Sequence, residues 1–260
     1  MDLPLFQIDA FTGRVFSGNP AAVCPLERWL PDATLQAIAS ENNLSETAFF
    51  VPEGADYRLR WFTPATEVDL CGHATLATAA LILGRLEPGR AMVRFHTRSG
   101  TLEVARAGEM MAMDFPSLPA APAALDPQVS QALGATPVAL LRAERDYLAV
   151  FETEAQVKAL APDLTALRVL PRPGMIATAP GTDVDFVSRF FAPALGVPED
   201  PVTGSAHCTL TPYWAARLGK TALRARQVSR RGGELECALA GARVIIKGRT
   251  AFYLEGRIHV

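Results

Sequence analysis

Lysine is scarce in this chain of 260 residues: only three of its 25 basic residues are Lys, at positions 158, 220 and 247. None of them lies in the loops described below, which argues against a pyridoxal cofactor, since that cofactor needs a lysine Schiff base. The sequence also lacks a Walker loop, a Gly-x-Gly-x-x-Gly fingerprint and a His-Glu-x-x-His motif. Because such motifs hold nucleotides and metals, we expect no metal and no cofactor.

Cysteine is also rare, with four residues scattered at positions 24, 71, 208 and 237 and no Cys-x-x-Cys pair. This pattern favours free thiols in the cytoplasm over a disulfide framework or a zinc site. No apolar run approaches the roughly 20 residues of a membrane span. Residues 1–6 lack the basic and apolar regions of a signal peptide. The formal net charge is −2, so we expect neither a nucleic acid nor a membrane as a partner.

The composition, with 49% hydrophobic and 20% charged residues, indicates a globular chain with a sizeable core. Most of the predicted elements are short strands, and their spacing favours an antiparallel meander over repeated βαβ units. Residues 167–170 are among the predicted strands. Four prolines from Pro116 to Pro127 mark the best candidate for a linker between two halves.

Residues 199–207 combine two carboxylates, a Pro turn and several small residues just before an apolar helical run. Thr203 or Ser205 is suited to cap that helix, and Gly204 lets a ligand approach the backbone closely. A helix N-terminus exposes N–H groups that attract anions. The stretch therefore predicts either an ordinary capped helix or an anion-binding loop.

Residues 70–75 repeat this plan about half a chain earlier, again before an apolar run that a glycine, Gly84, is expected to end. A Phe-x-Pro sequence precedes each stretch, at Phe62 and at Phe191. An ordered repeat of this kind indicates two related halves. Both helical runs are apolar nearly all round, so each is predicted to be enclosed by its own curved sheet. We expect the helices that start at Gly72 and Gly204 to face one cleft.

Four motifs follow one another along the chain, at residues 18–23 (GNPAAV), 44–49 (LSETAF), 70–75 (LCGHAT) and 200–207 (DPVTGSAH). Together they resemble the motifs of the PhzF-like phenazine biosynthesis family, which shares the diaminopimelate epimerase fold. The resemblance spans nearly the whole chain. It implies an α+β fold of two similar halves, each a barrel-like antiparallel sheet around a central helix. The first domain would comprise residues 1–116 and 250–260, and the second residues 117–249.

The resemblance also implies an active site. It assigns catalytic roles to Glu46, His73, Asp200 and Ser205, and substrate-binding roles to Asn19, Cys71, Gly72, Thr203 and Gly204. Glu46 would be the acid and base, and its apolar neighbours suit a carboxyl that must accept and return a proton. The local sequence alone favours a glutamate on the solvent face of a strand.

Each remaining assignment has a simpler structural alternative. His73 would bond to a substrate oxygen or merely satisfy the helix start, and Asp200 would orient a substrate amine or begin an Asp-Pro turn. Ser205 would bind a carboxylate or cap the helix. Asn19 suits the left-handed region of a turn. His207 is expected to pack against the sheet.

The implied chemistry depends on the residues at the two helix starts. Epimerases of this fold use two Cys there, but only Cys71 is present, and the hydroxyl of Thr203 is too weak a base to replace the second. We therefore expect a cofactor-independent isomerase that moves a proton on a small carboxylate-bearing molecule. The alternatives are an epimerase that uses Cys71 with Glu46, and a binding protein without activity. A homodimer is left open.

Overall fold

The computed structural model describes residues 1–260, which divide into two compact units. The first comprises Met1–Asp114 and Lys247–Val260, and the second comprises Phe115–Ile246. The domain boundaries given by the family resemblance lie two and three residues further along the chain.

Strands account for most of the regular structure. The first part of the chain contains β1 (Asp2–Ala10), β2 (Asn19–Pro25), α1 (Asp32–Asn42), β3 (Glu46–Glu53), β4 (Asp56–Phe62), β5 (Glu67–Val68), α2 (Gly72–Leu81), β6 (Met92–Thr97), β7 (Gly100–Ala107) and β8 (Met110–Pro116). The second part contains β9 (Ala121–Ala123), α3 (Pro127–Leu133), β10 (Ala139–Arg142), β11 (Asp146–Val150), α4 (Glu154–Ala159), α5 (Leu164–Arg168), β12 (Gly174–Pro180), β13 (Phe186–Ala192), β14 (Val197–Asp200), α6 (Gly204–Leu218), β15 (Ala222–Gln227), β16 (Gly233–Ala240) and β17 (Arg243–Gly248). The last strand, β18 (Thr250–His259), belongs to the first unit and pairs with β1.

The predicted antiparallel meander is wrong at four pairs of strands. β2 runs parallel to β3, β4 to β6, β11 to β12, and β13 to β15. At least one helix lies between the two strands of each of these pairs. This follows from geometry, because a chain can return to run in the same direction only through a crossover of about a dozen residues or more.

The two units share one order of strand pairings. From β1 to β7 in the first unit, successive partners are antiparallel, parallel, antiparallel, parallel and antiparallel. From β10 to β16 in the second unit, the order is the same. The connection that carries α2 therefore corresponds to the one that carries α6, and the duplication predicted from the sequence is confirmed.

Each unit buries one apolar helix. In α2, all residues from 73 to 81 are buried. In α6, the residues from 204 to 211 are buried except for the exposed Ser205, Trp214 is buried as well, and the last residues are exposed. The indole ring of Trp214 stacks on Phe186, and its N–H donates to the hydroxyl of Thr178 at 3.0 Å. The predicted enclosure therefore holds for α2 and for all but the last turn of α6. No helix is long and apolar enough to cross a membrane.

The proline-rich segment from Pro116 to Pro127 is not a free linker. The N–H groups of Ser117 and Leu118 donate to backbone oxygens of the second unit at 2.9 and 3.0 Å. Residues 121–123 form β9, which pairs with β10. Proline remains compatible with this arrangement because a strand of three residues needs few donors.

Two further local predictions are wrong. Residues 167–170 are not a strand: α5 includes Leu167 and Arg168, and Asp163 caps its start by accepting from the N–H groups of Thr165 and Ala166. Gly84 does not end the helix that begins at Gly72, since a π-helical turn (Ile82–Leu86) continues it. By contrast, Gly219 ends α6 in the left-handed conformation, as predicted.

A glycine, and not the following asparagine, takes the left-handed conformation before β2. Gly18 has a φ of +67°, whereas Asn19 is the first residue of the strand. A Cβ added to Gly18 would lie 2.2 Å from the backbone oxygen of Ala10 and 2.7 Å from a methyl carbon of Thr12. Only glycine fits this turn without a shift of the backbone.

We expect Gly18→Ala to lower the free energy of unfolding by about 2–5 kcal/mol, because it combines a left-handed alanine with a backbone clash. Gly54→Ala is the matched control, since Gly54 has a φ of +64° but no atom within 4 Å of an added Cβ. It should cost only about 1–2 kcal/mol. Urea denaturation measures both variants, and equal losses would contradict the steric argument.

Candidate active site

The first group of candidate residues lies where β3 and α2 begin. Glu46 is the first residue of β3, and α2 packs against this strand. Cys71 is the N-cap residue of α2, but its side chain does not cap the helix. The backbone oxygen of Cys71 accepts from the N–H and the hydroxyl of Thr75 at 3.1 and 2.6 Å. The burial of α2 thus fixes its first turn beside Glu46.

Glu46, Cys71 and His73 form one compact cluster. Glu46 Oε2 lies 3.0 Å from His73 Nε2, and Cys71 Sγ lies 3.5 Å from Nδ1 of the same ring. The Glu46–His73 contact has the distance of an ion pair, although it lacks the alignment of a hydrogen bond. Each side chain places one polar atom within 4.8 Å of the other two. Both ring nitrogens of His73 are therefore engaged inside the cluster.

Burial and charge determine the protonation of this cluster. Burial raises the pKa of the Cys71 thiol to about 11, and the charge of Glu46 adds to the effect. Burial alone would lower the pKa of His73, but Cys71 and Glu46 together hold it well above its ordinary value of 6.5. These shifts favour a protonated thiol at Cys71 and, beside the carboxylate of Glu46, a protonated ring at His73.

The second group of candidate residues surrounds the start of α6. Thr203 is the N-cap residue, but its hydroxyl donates to the carboxylate of Asp200 and does not cap the helix. Gln227, which is fully buried at the end of β15, accepts from the N–H of Thr203 at 3.0 Å. Its amide nitrogen donates to the backbone oxygen of Asp200 at 2.7 Å. One side chain thus holds both ends of the loop from Asp200 to Thr203.

The first turn of α6 carries three more of the residues considered from the sequence. Gly204 begins the helix and is buried, whereas Ser205 follows it and is exposed. His207 is fully buried, packs against Phe186 and has Nδ1 2.8 Å from the backbone oxygen of Thr203. Burial lowers the pKa of His207 to about 4, so this histidine is neutral and Nδ1 is its donor. Packing is its role, as expected.

An arginine–glutamate pair precedes the helix start in each unit. Arg60 of β4 donates two hydrogen bonds, at 2.7 and 2.8 Å, to the carboxylate of Glu67 in β5. Arg189 of β13 donates two, at 2.7 and 3.0 Å, to Glu199 in β14. The guanidinium groups also lie over the rings of Phe62 and Phe191, respectively. Each glutamate lies four residues before the N-cap residue, Cys71 or Thr203.

The structure thus gathers the sequence candidates into two groups, one in each unit. The first contains Glu46, Cys71, Gly72 and His73, and the second contains Asp200, Thr203, Gly204 and Ser205. Asn19 is fully buried in the first unit. The roles of all nine residues remain predictions.

Three residues that support these groups are absent from the sequence prediction: Gln227, Arg60 and Arg189. The two arginines carried a signal, because each occurs two residues before the phenylalanine of a Phe-x-Pro sequence. Gln227 carried none, since it lies 24 residues from Thr203 and follows no motif.

Comparison with known proteins defines the class first. A structural alignment with a probable proline racemase of Agrobacterium radiobacter covers 99% of this chain and 93% of the racemase. Its TM-score is 0.65 and the sequence identity is 12%. The alignment with the crystal structure of a PhzF family protein from Enterococcus faecalis covers 100% of both chains. Its TM-score is 0.98 at 46% sequence identity. The fold is therefore of the diaminopimelate epimerase type, and the predicted α+β class is confirmed.

The family follows from the sequence. The profile of the PhzC-PhzF family, described as phenazine biosynthesis-like protein, matches residues 8–256. An uncharacterized isomerase of Pseudomonas aeruginosa is 54% identical over the full length of both chains. The chain belongs to the PhzC-PhzF family and is an isomerase, as the sequence motifs predicted.

We expect Arg60→Lys to lower the free energy of unfolding by about 1–3 kcal/mol, because lysine cannot donate two parallel hydrogen bonds to Glu67. Arg58→Lys is the control in the same strand, since its partner Glu53 is exposed and the pair should contribute less than about 1 kcal/mol. Chemical denaturation followed by tryptophan fluorescence measures both. Similar losses of stability in the two variants would show that the two hydrogen bonds from Arg60 to Glu67 contribute no more than the exposed Arg58–Glu53 pair.

We expect the imidazole of His73 to titrate above pH 6.5 and Glu46→Gln to lower its midpoint, because the variant removes a neighbouring negative charge. Folding raises this pKa, so the stability it contributes is present below pH 6.5 and is lost as the pH rises through the folded-state value. NMR titration of the ring carbons measures the midpoint. Glu41→Gln, an exposed substitution, should leave it unchanged, and an unchanged midpoint in Glu46→Gln would refute the coupling.

Proposed function

We propose that the chain catalyses a cofactor-independent isomerisation in which Glu46 removes a proton from carbon and returns it elsewhere on a small carboxylate-bearing substrate. The observation that carries this proposal is the contact of 3.0 Å between Glu46 and His73 at the start of a buried helix. A carboxylate in such surroundings is shielded from water and held in one place, as a proton shuttle requires.

His73 would support Glu46 and would not itself contact the substrate. Both of its ring nitrogens already face partners, Glu46 on one side and Cys71 on the other. Its ring lies 3.0 Å from Glu46 and holds the carboxylate in one place between turnovers. This differs from the sequence-based expectation that His73 bonds to a substrate oxygen.

The loops before α2 and α6 each offer groups that can bind parts of a carboxylate-bearing molecule. Asp200 is held by Thr203 and Gln227, and a fixed carboxylate of this kind can orient an amine or hydroxyl group. Neither helix start has a side-chain cap, so each one, at Gly72 or at Gly204, can offer backbone N–H groups to a carboxylate. Ser205 is exposed beside them and can add its hydroxyl.

A second candidate is an epimerase in which Cys71 acts with Glu46. The contact of 3.5 Å between Cys71 Sγ and His73 favours it, since an adjacent histidine can activate a thiol. Burial weighs against it, because a pKa of about 11 leaves almost no thiolate at neutral pH. Thr203 weighs further against a mechanism with two bases, because its hydroxyl is committed to Asp200.

We expect Glu46→Gln to lower kcat by at least about a hundredfold with little change in substrate binding, because glutamine has similar size but cannot carry the proton. Cys71→Ala should keep activity within about tenfold of the wild type. Glu53→Gln, at the exposed end of the same strand, is the matched control and should be fully active. Turnover is measured on small unsaturated or amino carboxylic acids found by screening, and binding by calorimetry.

The same variants separate the two candidates. An inactive Cys71→Ala together with an active Glu46→Gln would transfer the chemistry to the thiol. If both variants stay active, the proposed site is wrong. Product formed in deuterium oxide gives a further reading, since a proton that exchanges with water on Glu46 introduces deuterium at the carbon that receives it.

A further inference from the structure

The Glu46, Cys71 and His73 cluster has the donor set of a metal site. A carboxylate, a thiol and an imidazole are the three side-chain types that bind zinc in proteins, and here all three donor atoms lie within 4.8 Å of one another. No metal is expected from the sequence, because it contains no ligand motif. That expectation rested on spacing along the chain, whereas Glu46 reaches the cluster from a strand 25 residues before Cys71.

Two of the three distances between donor atoms are close to those of a zinc site. Ligand bonds of about 2.0–2.3 Å in a tetrahedron place neighbouring donor atoms roughly 3.3–3.6 Å apart. In the structure, His73 Nε2 lies 3.0 Å from Glu46 Oε2 and 4.0 Å from Cys71 Sγ. Side-chain shifts of about half an ångström would bring both distances into the required range, which rotation of Glu46 and Cys71 can supply.

The charges also suit a divalent cation. Glu46 Oε2 is buried and makes no hydrogen bond, so its contact with His73 is held by charge alone. A carboxylate and a thiolate would balance the two positive charges of the ion, and His73 would bind as the neutral ring. A soft thiolate ligand favours Zn²⁺ over Mg²⁺ or Ca²⁺.

We propose that Glu46, Cys71 and His73 bind a single Zn²⁺, with the fourth position left to water, and that this ion inhibits the enzyme. Binding moves the thiol proton of Cys71 and one ring proton of His73 to solvent, and no other bond changes. The inhibition rests on the proposed function, because a zinc-bound Glu46 cannot shuttle a proton. The binding itself does not depend on it.

The first experiment measures binding without reference to activity. The full chain is freed of metal with a chelator and titrated with Co²⁺, a spectroscopic substitute for Zn²⁺. We expect one equivalent to bind with a thiolate-to-cobalt charge-transfer absorption that Zn²⁺ abolishes and Mg²⁺ does not. Cys71→Ser should lose the absorption. Cys24→Ala, which removes another buried thiol of the same unit, should keep it. Absence of the band, or its persistence in Cys71→Ser, overturns the proposal.

The second experiment tests Glu46 as a zinc ligand and measures the effect of zinc on the enzyme reaction. Glu46→Gln should weaken Zn²⁺ binding by at least about tenfold, measured by calorimetry. Where a substrate is in hand, Zn²⁺ should inhibit in step with occupancy of the Co²⁺ site, and a chelator should restore turnover. If Zn²⁺ occupies this site without lowering turnover, the proposed inhibition is wrong. If Glu46→Gln is found to be fully active, the proposed function fails while the metal site stands on its spectrum.

Discussion

The bidentate pair of arginine and glutamate is the interaction on which each helix-start loop depends. Arg60 and Glu67 join two strands just before Cys71, and Arg189 and Glu199 do the same before Thr203. These side chains are largely buried, so the planar guanidinium fits the carboxylate without competition from water. A loop held four residues before a helix start has little freedom left. The position of the catalytic candidates is therefore set by groups that do no chemistry.

Much of the fold was predictable, because local sequence patterns determine many of its elements. The duplication followed from repeated Phe-x-Pro sequences and apolar helical runs, and most strands followed from alternation. The parallel pairings were not predictable in this way, since pairing partners such as β4 and β6 are separated by α2 and by contacts that no local pattern contains. The proline-rich segment failed for a related reason. The backbone N–H groups of Ser117 and Leu118 bond to Ala242 and Cys208, 125 and 90 positions away, and β9 pairs with β10.

The residues of the site were likewise predictable only in part. Glu46, Cys71, His73 and the residues from Asp200 to Ser205 belong to recognisable motifs, and the motifs alone named them. The motifs could not predict which of these side chains contact one another. The contact of Glu46 with His73 and the role of Gln227 depend on side chains from other strands. Such contacts follow from packing and leave no trace at short range in the sequence.

The two helix starts occupy equivalent places in the duplicated fold, yet their chemistry differs. At the first, the N-cap residue is Cys71, whose thiol faces an imidazolium. At the second, the N-cap residue is Thr203, whose hydroxyl is bonded to Asp200. Equivalent scaffolds with unlike N-cap residues cannot supply a symmetric pair of bases. At the first helix start the carboxylate of Glu46 lies beside His73, so the asymmetry of the two halves favours a single group that both takes and returns the proton.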